Sequence, residues 1–188
     1  MKMKMKTKIN KEFAEAISSW LTIATVLTAG FYGVWEYLDH KSTVRVERSL
    51  AYVESYRSGY VSKSKLALNQ LLADNEETLI AILKDEHLSD TERDTRYRSH
   101  ILTMVSPALN RQNLEISFSF YEEIAICAER ELCDANIIRS FFTADVTGFF
   151  NSYAPHVCSL RKQWNNDFVY KKIESFFISP KSDICQSL

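Results

Sequence analysis

The chain has 188 residues, 23 basic and 24 acidic side chains and a net charge of −1, which excludes a protein coated in nucleic-acid-binding surface. Aromatics are abundant (eleven Phe, nine Tyr, three Trp), whereas four Gly and three Pro leave too little punctuation for a β-sandwich or barrel. The expectation is an all-α protein with one ordinary domain behind a distinct N-terminal segment.

Residues 1–15 form a basic tail, with Lys2, Lys4, Lys6, Lys8 and Lys11 ahead of Glu15. From Ala16 to Trp35 no residue is charged. Twenty residues of helix rise about 30 Å, the thickness of a hydrocarbon core. Residues 16–37 are therefore expected to be a single transmembrane helix, with the lipid bilayer as partner. Trp20 at one end and Tyr32, Trp35 and Tyr37 at the other supply interfacial belts. Two rival readings are a cleaved signal peptide, whose apolar region is usually shorter, and a buried helix of a soluble protein. Ser18, Ser19, Thr22, Thr25, Thr28, Gly30 and Gly33 make the stretch only modestly apolar.

Residues 38–180 should be a helical bundle and 181–188 a tail. Leu38, Val44, Val46, Leu50, Val53 and Tyr56 extend the first helix to Gly59, a C-cap. Helices follow near Ser62–Leu72 and Asn75–Lys84. Ser89 with Glu92 spells a capping box for a helix to Val105 before Pro107. The next is placed at Asn113–Leu132. Asp134 caps one to Tyr153, Pro155 opens the one carrying Trp164, and the last spans Asp167–Phe177. Ile137, Ile138, Phe141, Phe142, Phe149 and Phe150 are the expected core against the Phe120, Ile124, Cys127 face.

Cys127, Cys133, Cys158 and Cys185 have no CxxC spacing and no neighbouring His, so neither metal nor cofactor is expected. In their apolar settings they read as small buried hydrophobes, with disulfides as the alternative in an oxidising compartment. The lysines place the N-terminus inside, but Lys41, Arg45, Arg48 and Arg57 make the other flank basic too. Unbonded cysteines favour a cytoplasmic bundle.

Along a helix Glu15, Ser18, Thr22, Thr25, Ala29, Tyr32 and Glu36 recur at alternating steps of three and four, a heptad seam of small and hydroxyl side chains. Ile17, Leu21, Ile23, Leu27, Phe31 and Val34 lie opposite. Such a seam suits close helix–helix packing, or a lumen with Glu15 and Glu36 at its mouths. Both imply a homo-oligomer.

Arg93-Asp94, five residues, then His100 resembles the R-polar-x3-5-H signature of HEPN domains, helical bundles many of which cut RNA. In that chemistry His moves the 2′-hydroxyl proton and Arg neutralises the phosphorane, so the resemblance implies catalytic roles for Arg93 and His100 across a dimer. The stretch Phe118–Phe177, with its aromatic–acidic–IAI helix, Asp cap and IIxxFF helix, is similar in layout to single-pass bacterial membrane proteins. Among these is the pore-forming, HEPN-like accessory protein of type VI CRISPR systems. The resemblance implies a pore-forming or membrane-perturbing effector at the bacterial inner membrane in antiviral defence, partnered with RNA or an RNA-guided complex. The alternatives are a membrane-tethered ribonuclease and a non-enzymatic adaptor.

Overall fold

The computed structural model describes the backbone of residues 2–178 and 184–185, with side chains at 18 and from 20 onward within these. Among the described residues there is no strand. Helix α1 spans Lys2–Ser58, and the chain divides into two units, Met1–Val44 and Arg45–Leu188. The first unit is α1 alone. The second holds the end of α1 and helices α2 (Tyr60–Asp74), α3 (Glu76–Lys84), α4 (Asp90–Val105), α5 (Ala108–Glu129), α6 (Ala135–Trp164) and α7 (Lys171–Ile173), then a π-helical turn, Glu174–Ile178.

Local signals place most boundaries. The Ser89–Glu92 capping box is fully formed: the Ser89 hydroxyl accepts from the Glu92 amide, and the Glu92 carboxylate accepts from the Ser89 amide at 3.0 Å. At the head of α6 the Asp134 carboxylate accepts from the amides of Asn136 and Ile137. The corner between α1 and α2 needs Gly59, because a Cβ there would sit 2.4 Å from the Ser55 carbonyl oxygen.

Three boundaries differ from expectation. Helix α5 begins five residues early, directly after Pro107, and stops at Glu129. There Glu131 takes a positive φ of 55° and the amides of Leu132 and Cys133 both donate to the Cys127 carbonyl. Pro155 lies inside α6 rather than opening a new helix. Its ring costs the Asn151 carbonyl a partner, but Asn151 is exposed to water, and buried Phe149, Phe150, Tyr153, Val157 and Leu160 hold both halves in line. The expected helix from Asp167 shrinks to three residues because Asn165 and Tyr170 adopt left-handed conformations, with φ of 49° and 55°. Arg161 also draws the Val169 carbonyl away from helical pairing, at 2.9 Å.

The bundle core is aromatic. Phe118, Tyr121, Phe142, Phe150 and Tyr153 are fully buried, packed with Leu68, Ile101, Leu114, Ile124 and Ile138. Phe118 meets Phe149 edge-on and stacks on Tyr170. Phe141, expected in the core, is instead 48% exposed under the Arg57 guanidinium. Ser49, wholly buried, accepts the Asp134 amide at 2.8 Å and so fastens the end of α1 to the head of α6.

Candidate functional site

In the first unit α1 presents Trp20, Leu21, Ile23, Val26, Leu27, Phe31, Val34, Trp35 and Leu38 to the outside, each more than half exposed. At 100° per residue they cover one broad face, somewhat more than half of the circumference, opposite the Ser18, Thr22, Thr25, Ala29 and Glu36 seam. An apolar face this wide on a helix is one that something else covers. The expected seam residues Ser18, Thr22, Thr25, Ala29, Tyr32 and Glu36 are exposed as well, while Glu15 lies outside the residues whose side chains are described. The hydroxyls of this segment are not idle: Thr22 and Thr25 of the seam donate to the Ser18 and Leu21 carbonyls, and Thr28 beside it to Ala24, at 2.8–2.9 Å. Each threonine thereby satisfies its donor within its own helix, which lowers the penalty of an apolar setting. Gly30 and Gly33 leave open space where a Cβ would stand.

No described helix is long and apolar enough to cross a membrane. The expected span also includes Ala16, Ile17 and Ser19, which lie outside the residues whose side chains are described.

Arg93 and His100 sit on one face of α4, two turns and about 10 Å of helix rise apart. The chain by itself does not bring them to one point. Arg93 donates to the Leu88 carbonyl at 3.2 Å and pairs with Asp90 at 3.5 Å, fixing the turn that precedes α4. His100 is half-buried, and its Nε2 has no hydrogen-bond partner. Between them Asp94 holds Arg98 at 2.6 Å.

Two polar groupings were not foreseen. Asp145 of α6 accepts from Tyr121 of α5 at 2.7 Å and from Tyr56 of α1 and Lys65 of α2, tying four helices together. Burial opposes its charge, but the bonds from Lys65, Tyr56 and Tyr121 hold Asp145 below the ordinary carboxylate value. Burial and the Asp145 charge push the Tyr121 phenol far up, so it stays a neutral donor. The second grouping is Glu174, fully buried, which accepts from Arg161 at 3.1 Å, Lys171 at 2.9 Å and the Ile184 amide at 3.1 Å. Sequence spacing carries no sign of the first, whose members lie up to 89 residues apart, whereas Lys171 and Glu174 of the second stand three residues apart.

The cysteines correct an expectation. Cys127 is bonded to Cys133 and Cys158 to Cys185. The first pair closes the α5–α6 turn and the second fastens residue 185 to α6. Among the described residues no group of His, Cys, Asp and Glu is placed to hold a metal.

The fold and these features define an all-helical, disulfide-bonded bundle accompanied by an uncovered apolar helix. The chain belongs to the DUF4760 family, a domain of unknown function, which it matches over residues 13–177. No curated protein and no solved structure matches it.

Proposed function

We propose that this is a membrane-anchored, self-associating protein, seated in the bilayer by α1 and presenting its bundle on the oxidising side. One observation carries the reading: the first unit exposes a broad face of large apolar side chains on a single helix, with Phe31 81% and Trp20 73% exposed. Water does not tolerate such a surface, and lipid covers it without a partner. The internally bonded threonines and the small residues Ala29, Gly30 and Gly33 suit close approach of a second copy of the helix.

Bonded cysteines favour an oxidising compartment, which moves the bundle away from the cytoplasmic placement expected from the sequence. The lysines at positions 2–11 then stay inside, as the positive-inside rule prefers. The narrower reading, a pore in antiviral defence acting with an RNA-guided complex, rests on the seam and on resemblance. It needs the bundle in the cytoplasm, so the compartment discriminates between the two.

An alkaline carbonate wash of cell membranes tests the anchor. Retention in the pellet is expected, and release into the supernatant would refute it. Thr22→Leu with Thr25→Leu should shift the detergent-solubilised protein toward monomer, as read by native mass spectrometry. An unchanged oligomer would remove the seam from the account.

A further inference from the structure

A cleft of about 580 Å³ opens between α4 and the end of α6, lined by Arg98, Leu102, Pro155, Lys162 and Asp167 and walled by the Cys158–Cys185 disulfide. Its lining carries three basic side chains, Arg98, Arg161 and Lys162, and one carboxylate, Asp167. Arg161 at its base is spent on Glu174 and the Val169 carbonyl. Arg98 gives its Nε to Asp94, yet its Nη2 is buried with no hydrogen-bond partner. A buried guanidinium donor left unmatched is costly, and an anionic oxygen is the acceptor that suits it best. Lys162, exposed on the same rim, adds a second positive charge; the carboxylates beside the two are Asp167 in the lining and Asp94 on the Arg98 Nε.

The loop bordering this cleft carries apolar surface. Trp164 is 57% and Phe168 81% exposed, the latter as open as any large apolar side chain described. The loop is held rigid around them. The Asn166 amide donates to the Arg161 carbonyl at 3.0 Å, the Phe168 amide to the Asn166 side chain at 2.9 Å, and the Lys171 amide to the Phe168 carbonyl at 3.1 Å. A loop that displays two aromatics beside a cleft with an unmatched guanidinium donor and an exposed lysine has the two halves of an amphiphile site: a seat for an anionic headgroup and rings for the acyl boundary.

We propose that the bundle binds anionic phospholipid, the headgroup phosphate held by Arg98 and Lys162 in this cleft and the Trp164–Phe168 loop entering the lipid interface. The contact is independent of α1: it is built wholly from the second unit and stands whether or not α1 anchors the chain.

The full chain in mild non-ionic detergent can be titrated with dihexanoyl phosphatidylglycerol, dihexanoyl phosphatidylcholine or inorganic phosphate. Thermal melting gives the affinity, and amide exchange across residues 162–172 gives the location. Phosphatidylglycerol should raise Tm and slow exchange in that segment, while phosphatidylcholine does neither to the same degree. Arg98→Gln should weaken binding about tenfold, with Arg98→Lys recovering part of it. Phe168→Ser should weaken lipid binding and leave phosphate binding unchanged. Equal responses to the two lipids, or affinity indifferent to Arg98, would overturn the proposal. Phosphate alone protecting the segment as well as lipid, with Phe168→Ser silent, would reassign the cleft to a soluble anion and overturn the lipid.

Discussion

His156 makes the bundle acid-sensitive in a calculable way. It follows Pro155 inside α6, is 6% exposed, and its Nε2 has no hydrogen-bond partner. Burial, with the nearby Arg111 charge adding to it, pushes the imidazole from 6.5 down to about 4. The folded pKa lies below the unfolded one, so the unfolded chain takes up a proton that the native site refuses. Stability from this group is therefore fully present well above pH 6.5, begins to fall as the pH drops through 6.5, and is lost toward 4. A full pH unit between the two values is worth about 1.4 kcal/mol and less near either end, so acidification from 6.5 to 4.5 should cost about 2 kcal/mol through His156 alone. Urea unfolding of the full chain in mild detergent, repeated at pH 7.5, 6.5, 5.5 and 4.5, measures the slope. His156→Leu keeps an uncharged side chain of similar bulk and should flatten that slope by this amount, whatever it does to stability at pH 7.5. Identical slopes in the two proteins would refute the reasoning, because the other titrating groups are common to both.

Removing the Cys158–Cys185 bond by double Ser substitution releases a 27-residue separation and should lower unfolding stability by about 3.5 kcal/mol. The six-residue Cys127–Cys133 separation should yield about 2 kcal/mol, and chemical denaturation of both double mutants checks the order. Asp145→Asn leaves Lys65 without its countercharge in a half-buried setting and should cost about 3 kcal/mol, read in the same assay. With a depressed folded pKa, the Asp145 contribution is present above the ordinary carboxylate range and lost as the pH falls through its folded value. Gly59→Ala forces its Cβ against the Ser55 carbonyl and should lower Tm by several degrees, while Ser58→Ala, one residue away and exposed, should not.

Much of the fold was legible because it is written locally. Ser89 with Glu92, and Asp134 with the amides after it, are cap signals that act within four residues, and both formed as read. The helical period and scarcity of glycine gave the all-α class for the same reason. What failed was decided at a distance. Pro155 reads as a helix start in isolation, but buried rings on either side carry α6 through it. The helix expected from Asp167 yields to the Arg161 side chain, which reaches Val169 from α6. The cysteine pairs could not be told from buried thiols, since only the fold brings Cys158 within 5.5 Å of Cys185, Cα to Cα. The Asp145 cluster was illegible because its four members come from four helices. The seam of α1 was legible as a pattern, but the back-bonding of its threonines required the helix itself.

The central claim is that α1 sits across lipid, and depth-resolved fluorescence tests it most directly. Leu27 lies about 10 Å along the helix from Trp20 and about 12 Å from Trp35, near the middle of the apolar face. In a background with the native tryptophans replaced by Phe, single reporters at 20, 27 and 35 would be reconstituted into vesicles of lipids brominated at shallow or deep acyl positions. The account predicts shallow quenching of Trp20 and Trp35 and deepest quenching of the Leu27→Trp reporter. Three reporters quenched alike by shallow lipid, or a water-exposed emission from position 27, would contradict it.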